Sequence, residues 1–399
     1  MKTALILPPT ASSFQPVAGL PLIQRTVLSV LRADFDRIVV VGGPFTQQLR
    51  QLLRSDERTR AVEVSEAVPV IEGSSVTLIP SDRLLTVATL ERGATVTLDG
   101  RPVLFETAGG DGFALCRPAT LSGIDAAALT SPGTEALWAE LRARGAERVT
   151  LDGALCARVT DAPSAATAER ALCERLRADS ADSDGPLAHW IDRRISLRIS
   201  RWLVRHTRLR PNHITIIGTS VGLLAAALLG VGTYWTGVTG TLLFLCTTII
   251  DGCDGEVARM KFQESAFGQK FDVVTDNIVH VAIFIGLAVG RYRQDPSGHY
   301  VALIAILLGG FACCSAVTYF FLVRRPGFAS SGGPAVSTRG KLRQRLLGGL
   351  EALMNRDFAY LLVVLAVVDR LHWFLWGAAF GTYGFAIALI WIYRWRDAA

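Results

Sequence analysis

An α/β soluble domain followed by an all-α transmembrane domain of six helices is the fold class this 399-residue sequence predicts. Three observations carry that prediction. Half of the residues are apolar, only 19% are charged and the mean hydropathy is +0.35, values that exclude a disordered chain and differ from those of an ordinary soluble enzyme. The apolar residues are unevenly placed: residues 1–190 read as a soluble α/β domain, whereas 212–393 hold the long uncharged runs. Arginine and lysine cluster between those runs with a strong side-to-side asymmetry.

The amino-terminal part, residues 1–180, alternates short apolar strands with helical stretches. TALIL, RIVVVGG, SVTLIPSD and RVTLDG read as strands and LPLIQRTVLSVLRA as a helix. That order predicts a Rossmann-like α/β layer with a parallel sheet. Seven cysteines are scattered without a CxxC pair, which points to a reducing, cytoplasmic setting. No secretory signal opens the sequence, because Pro8-Pro9 stops the first apolar run after five residues.

Residues 181–211 form a linker and a juxtamembrane helix. In IDRRISLRISRWLVRH, Ile191, Ile195, Ile199, Trp202 and Leu203 follow helical spacing, with Arg193, Arg194, Arg198, Arg201 and Arg205 around the rest of the circumference. An amphipathic helix of this kind lies at a bilayer surface with its arginines near anionic headgroups.

The membrane domain is expected over 212–399. Residues 301–323 run 23 positions without a charge, enough to cross a bilayer at 1.5 Å per residue. Further spans are expected at 213–232, 233–250, 273–290, 358–371 and 372–393. Seven arginines lie in 191–211 and seven basic residues in 324–357, whereas only Arg291 and Arg293, and then Arg370, stand on the other side. The basic side, and with it the amino-terminal domain, is therefore expected to be cytoplasmic. The net charge of +6 belongs to this pattern; no zinc-finger spacing or RNA-binding aromatic motif accompanies it, so no nucleic-acid partner is expected.

The segment DGCDGEVARMKFQESAFGQKFDVVTD, residues 251–276, sits where the second span ends and the third begins. Asp251 and Asp254 are three apart, Asp272 and Asp276 four apart, so each pair shares a helix face. A short connection folds the two helices antiparallel and lets four carboxylates converge. Together at a membrane boundary they repel strongly unless divalent cations bind among them. Oxygen ligands select magnesium first, then manganese or calcium. Gly255, Gly268 and Ala258 leave room for a nucleotide or a second helix, and Arg259 can aim a fork of donors at a phosphate. Two cations among four carboxylates suggest in-line phosphoryl displacement, with one carboxylate taking the proton of an attacking hydroxyl.

These residues resemble the signature of the CDP-alcohol phosphotransferases, D-x2-D-G-x2-A-R-x8-G-x3-D-x3-D. Asp251, Asp254, Gly255, Ala258, Arg259, Gly268, Asp272 and Asp276 match every fixed position. Asn212 and Thr215, in Arg210-Pro211-Asn212-His213-Ile214-Thr215, resemble the family's entry to its first span. The resemblance covers roughly 184–395. It implies a six-helix membrane fold, a cytidine diphosphate donor, CMP as leaving group, a two-ion magnesium site and a homodimer. Asp251, Asp254 and Asp272 become metal ligands, and Asp276 a ligand or neighbour of the metals and the general base.

VAGLPLIQRTVLSVLRADFDRIVVVGG, and Ser81-Asp82 after an apolar strand, resemble the sugar-phosphate nucleotidyltransferases. Such a domain ahead of this membrane fold resembles the bifunctional inositol-phosphate cytidylyltransferase and phosphodiester synthases. In place of that family's glycine-rich basic loop stands PPTASSFQP, with no glycine, no cation between Lys2 and Arg25, and three prolines that delete backbone donors. Asp82 remains as a lone candidate ligand. A non-catalytic amino-terminal domain is therefore expected.

The favoured donor is CDP-diacylglycerol, because the site opens at the bilayer surface and the front domain lacks the means to make a soluble CDP-polyol. An inositol-type acceptor follows from the fused architecture. A soluble CDP-inositol donor giving a di-inositol phosphodiester is the alternative within the same chemistry; a cation-coupled transporter and a scaffold are alternatives of other classes. Arg324 and Arg325 with Arg356 either bind an acceptor phosphate or anchor helices. His280, one turn after Asp276, orients it or packs in the core. Gly218 and Gly222 read as helix-packing residues rather than a nucleophile elbow, and Trp373, Trp376, Trp391 and Trp395 as interface anchors.

Overall fold

A computed structural model describes residues 2–71, 73–107, 110–122, 124, 129, 134–180, 187–323 and 358–394. The chain divides into two compact units, Met1–Asp179 and Ser180–Ala399.

The first unit is built on a seven-stranded sheet. Its strands are β1 (Lys2–Ile6), β4 (Arg37–Val41), β5 (Glu63–Ser65), β6 (Ser75–Ile79), β8 (Val103–Thr107), β9 (Gly110–Cys116) and β10 (Glu147–Thr150), in the order β10-β8-β9-β6-β1-β4-β5. Short two-stranded pairings add β2 (Pro16–Val17) with β3 (Leu20–Pro21), and β7 (Arg83–Leu85) with β11 (Cys156–Arg158). Side-chain alternation along β1 makes two cores. Ala4 and Ile6 pack with Ile23 and Val27 of helix α1 (Leu22–Arg32) on one face. Leu5 and Leu7 pack with Trp138 and Leu141, from the helix Glu135–Ala143, on the other. A sheet covered on both faces is why its central strands read as unbroken apolar runs.

The sheet is mixed rather than parallel. β1 pairs in parallel with β4 and β6, but β9 runs antiparallel to both β6 and β8. Thr107 pairs with Gly110, so two residues join β8 to β9, and a connection that short permits only an antiparallel hairpin.

In the second unit a juxtamembrane helix, Arg193–His206, follows a π-helical turn at Ala188–Asp192. Three long helices come next: Pro211–Val231, Tyr234–Lys261 and Ala266–Gln294. Each is long and apolar enough to cross a membrane. Proline at the first turn starts Pro211–Val231, and Gly232 ends it at φ +86°. Thr233 and Ser265 cap the other two through side-chain acceptors to Thr236 N and Gly268 N.

Pro211–Val231 and Ala266–Gln294 approach to backbone contact. A methyl group at Gly286 would lie 2.3 Å from the Ala226 carbonyl oxygen, and one at Gly222 would lie 2.6 Å from Val279 Cγ1. Small residues set this spacing, as expected for packing between membrane helices. Ala225, Leu229, Phe244, Ile283 and Leu287 fill the core beside them.

Tyr300–Val323 and Leu371–Arg394 are also helical. The segment expected to span at 358–371 is a helix only over Phe358–Val367, and at roughly 15 Å that piece is half a bilayer core. Asp369, at φ +53°, turns the chain after it. Pro211–Val231, Tyr234–Lys261 and Ala266–Gln294 are thus the three described helices that meet the length and hydropathy of a span, and a count of six stays an expectation of the sequence.

Candidate functional site

The facing ends of two long helices carry the acidic residues. Tyr234–Lys261 and Ala266–Gln294 have 28 and 29 residues. At 1.5 Å per residue each is over about 40 Å long, against a hydrocarbon core of about 30 Å. The turns on either side of the connection at 262–265 carry Asp251, Asp254, Asp272 and Asp276. Phe262, in the left-handed region at φ +55°, ends the first helix, and Ser265 caps the second.

The two helix ends bring three carboxylates together. Oxygens of Asp251, Asp254 and Asp272 all lie within 4.8 Å of one another, with Asp254 buried and the other two half-buried. A cation with oxygen bonds of about 2.0–2.6 Å joins ligand oxygens up to about 5 Å apart, so this set fits a hard divalent cation. Asp276 stands one turn further along, half-buried and outside that group of three. His280, the next turn on, packs its ring against Phe244 and Phe358.

Asp254 is held from a second helix: Thr215 Oγ1 donates a hydrogen bond to its Oδ2. A bond to one oxygen fixes the carboxylate rotamer and leaves the other oxygen for a metal. Gly268 faces the start of the first long helix. A methyl group there would lie 3.0 Å from Ser265 Oγ and 3.4 Å from Asn212 Oδ1, so only glycine leaves this corner open. Arg259 Nε donates to the Gly255 carbonyl at 3.2 Å, which orients its guanidinium along the helix.

An open cleft of about 260 Å³ joins these parts. Of the residues the sequence singled out, Asn212, Thr215, Asp251, Asp254, Gly255, Ala258, Arg259, Gly268 and Asp272 line it; Asp276 does not. Arg324, Arg325 and Arg356 lie outside the described residues. Six further lining residues escaped the sequence reading: Arg193, Gly252, Gln263, Glu264, Ser265 and Gln269. Ser265 was accessible from its capping position before a helix. Arg193 was read as a headgroup-facing arginine; instead it pairs with Glu256 at 3.2 Å and reaches the cleft.

Residues 208–382 match the family described as CDP-alcohol phosphatidyltransferase. Part of the chain is also similar to curated proteins. The bifunctional IPC transferase and DIPP synthase of Thermococcus kodakarensis is 32% identical over 124 residues, 31% of this chain and 27% of the relative. The protein of the same name from Archaeoglobus fulgidus is 31% identical over 156 residues, 39% of this chain and 29% of the relative. The archaetidylinositol phosphate synthase of Methanothermobacter thermautotrophicus is 32% identical over 90 residues, 23% of this chain and 45% of the relative. The chain thus spans less than a third of the length of the bifunctional relatives it matches. Among solved structures, the Mycobacterium tuberculosis phosphatidylinositol phosphate synthase with CDP-DAG bound aligns at 22% identity over 50% of this chain and 94% of that one, with a TM-score of 0.33. The inositol-1-phosphate CTP transferase from T. maritima aligns at 11% identity over 43% and 95%, also with a TM-score of 0.33.

In the first unit, the loop that follows β1 closes on itself. Ala11–Phe14 form a 3-10 turn, Ser13 Oγ donates to Ser81 Oγ at 3.2 Å, and Ser81 Oγ donates to the Pro8 carbonyl at 2.8 Å. Asp82 is buried, and Arg158 Nε donates to its Oδ2 at 3.2 Å. The carboxylate left as a lone candidate ligand is thus paired with a guanidinium.

Proposed function

We propose that the chain is an integral membrane enzyme that transfers a phosphatidyl or phospho-alcohol group from a CDP-linked donor to an alcohol hydroxyl and releases CMP. The observation that carries this reading is the cluster of Asp251, Asp254 and Asp272 oxygens within 4.8 Å, at the mouth of a cleft that also holds Arg259 and two glycines. CDP-diacylglycerol is the favoured donor and an inositol-type alcohol the favoured acceptor. The three spanning helices support a membrane setting, and the outward stripe of Ile195, Ile199 and Trp202 on the juxtamembrane helix supports contact with the bilayer surface. The six-span topology, the cytoplasmic placing of the site and a homodimer belong to the same reading.

Charge in the cleft supports two magnesium ions. Among the described residues its walls carry the four acids Asp251, Asp254, Glu264 and Asp272 and the two arginines Arg193 and Arg259, a balance of two negative charges. Two divalent ions turn that into two positive charges, which match a dianionic pyrophosphate diester. The metal ions supply electrostatic neutralisation of the pyrophosphate and of the departing phosphate. Asp251, Asp254 and Asp272 would hold them, Thr215 would steady Asp254, and Arg259 would direct donors at phosphate oxygens. Asp276 accepts the proton of the attacking hydroxyl.

Pairing of Asp82 with Arg158, and the closed serine-bonded loop after β1, support a non-catalytic first unit. CMP release from CDP-diacylglycerol with inositol or inositol phosphate, with and without magnesium, tests the main reading. Magnesium-dependent release is expected; none with any CDP-linked donor overturns it. Conversion of CTP and inositol phosphate to a CDP product would overturn the non-catalytic first unit.

A further inference from the structure

Glu256 follows Gly255 in the acidic segment, at a position to which the signature assigns no residue type. Its side chain is 1% exposed. A buried carboxylate is costly unless its oxygens are satisfied, and here they are. Ser196 Oγ donates to Oε1 at 2.6 Å, Ser200 Oγ to Oε2 at 2.7 Å and Arg193 Nη1 to Oε1 at 3.2 Å.

All three donors come from one face of the juxtamembrane helix, spaced three and then four residues apart. One carboxylate thus holds two turns of that helix against the metal-bearing one. Glu256 lies two residues beyond Asp254, so helical geometry turns it away from the Asp254 face, toward the juxtamembrane helix.

Arg193 has a second relation that the serines lack. It lines the cleft together with Asp251 and Arg259, with 11% of its side chain exposed. A guanidinium has five donors in a planar fork, more than one carboxylate oxygen uses. Within a cleft walled by four carboxylates, an arginine fixed in place offers a phosphoanion a charge-assisted contact that solvent-exposed lysines do not. The helix bearing Arg193 also presents Ile195, Ile199 and Trp202 outward, the face suited to the bilayer surface where a lipid-linked pyrophosphate lies.

We propose that Arg193 binds the pyrophosphate of the lipid-linked donor and that Glu256 is the residue that positions it. This deepens the transferase reading and rests on it for the donor's identity.

The test uses the full chain in nanodiscs. In R193Q, KM for CDP-diacylglycerol is expected to rise about tenfold or more, the scale of a lost hydrogen bond to a charged group. Acceptor KM and the magnesium concentration for half-maximal rate should change by less than about twofold. R193K keeps the charge without the fork and should rescue in part. E256Q should raise donor KM less than R193Q, and the double variant should match R193Q alone, because the two residues act in series. A purely structural clamp gives another pattern: lower thermal midpoints and kcat in both single variants with donor KM unchanged. That pattern overturns the proposal, as does a rise confined to acceptor KM. Should the wild type release no CMP, the transferase reading fails on its own; equilibrium binding of inorganic pyrophosphate with magnesium then decides. Binding about tenfold weaker in R193Q supports the assignment, whereas equal binding, or none by either protein, overturns it.

Discussion

Thr215 Oγ1 donates its hydrogen bond to Asp254 Oδ2, joining the first turn of one long helix to the acidic end of the next across 39 positions of sequence. Outer contacts of this kind fix ligand orientation, and their loss commonly costs about 10–100-fold in metal affinity. Thr215→Val keeps the shape and removes the donor. Manganese binding, followed by its paramagnetic signal, is expected to weaken by about that factor while helix content stays unchanged. Unaltered affinity would show that Asp254 holds its orientation without the threonine.

Asp276 lies outside the group of three oxygens. Asp276→Asn is expected to lower CMP release by about 10²–10⁴-fold, the range for loss of a general base, with metal binding retained. Asp272→Asn should weaken metal binding and release together. Metal titrations on both variants compare the two; equal loss of metal in both would make Asp276 a ligand instead.

Gly286 bears directly on helix spacing, since an added methyl would meet the rigid carbonyl of Ala226 at 2.3 Å. A backbone obstacle cannot rotate away as a side chain does. Gly286→Ala is expected to destabilise the second unit by about 1–3 kcal/mol, the usual range for overpacking. Thermal unfolding in detergent measures it, and wild-type stability in the variant would mean that the two helices sit further apart.

The first unit offers a pH test through Asp56. Arg58 hydrogen-bonds its carboxylate at 2.6 Å and 3.0 Å, Gln24 Nε2 does so at 2.9 Å, and the Arg58 side-chain contact is the main reason its pKa sits below the usual 3.8. A carboxyl with a depressed folded pKa contributes stability above its unfolded value and loses it as pH falls through the folded one. Stability of the first unit is therefore expected to decline below about pH 4. Asp56→Asn should flatten that decline and cost less than about 1 kcal/mol at pH 7, since solvent reaches the pair. A decline just as steep in the variant would assign it to other carboxyls.

The sequence alone determined whatever depends on residues near one another in the chain. Asp251 to Asp276 lie within one helix–turn–helix, and helical periodicity with a short connection is enough to bring Asp251, Asp254 and Asp272 together. The strands β1, β4 and β6 were legible because burial on both faces leaves continuous apolar runs. Antiparallel β9 was not, because strand direction is set by how the hairpin with β8 inserts beside β6, a pairing between distant segments. The same reason hid Arg193 and Glu256. Arginines on an amphipathic helix look alike in sequence, and only the packing of that helix against Tyr234–Lys261 singles one out for a buried carboxylate 63 positions away. Local spacing thus declared the cluster of carboxylates, while tertiary packing chose which side chains surround it, because a buried charge is tolerated only where folding delivers its partners.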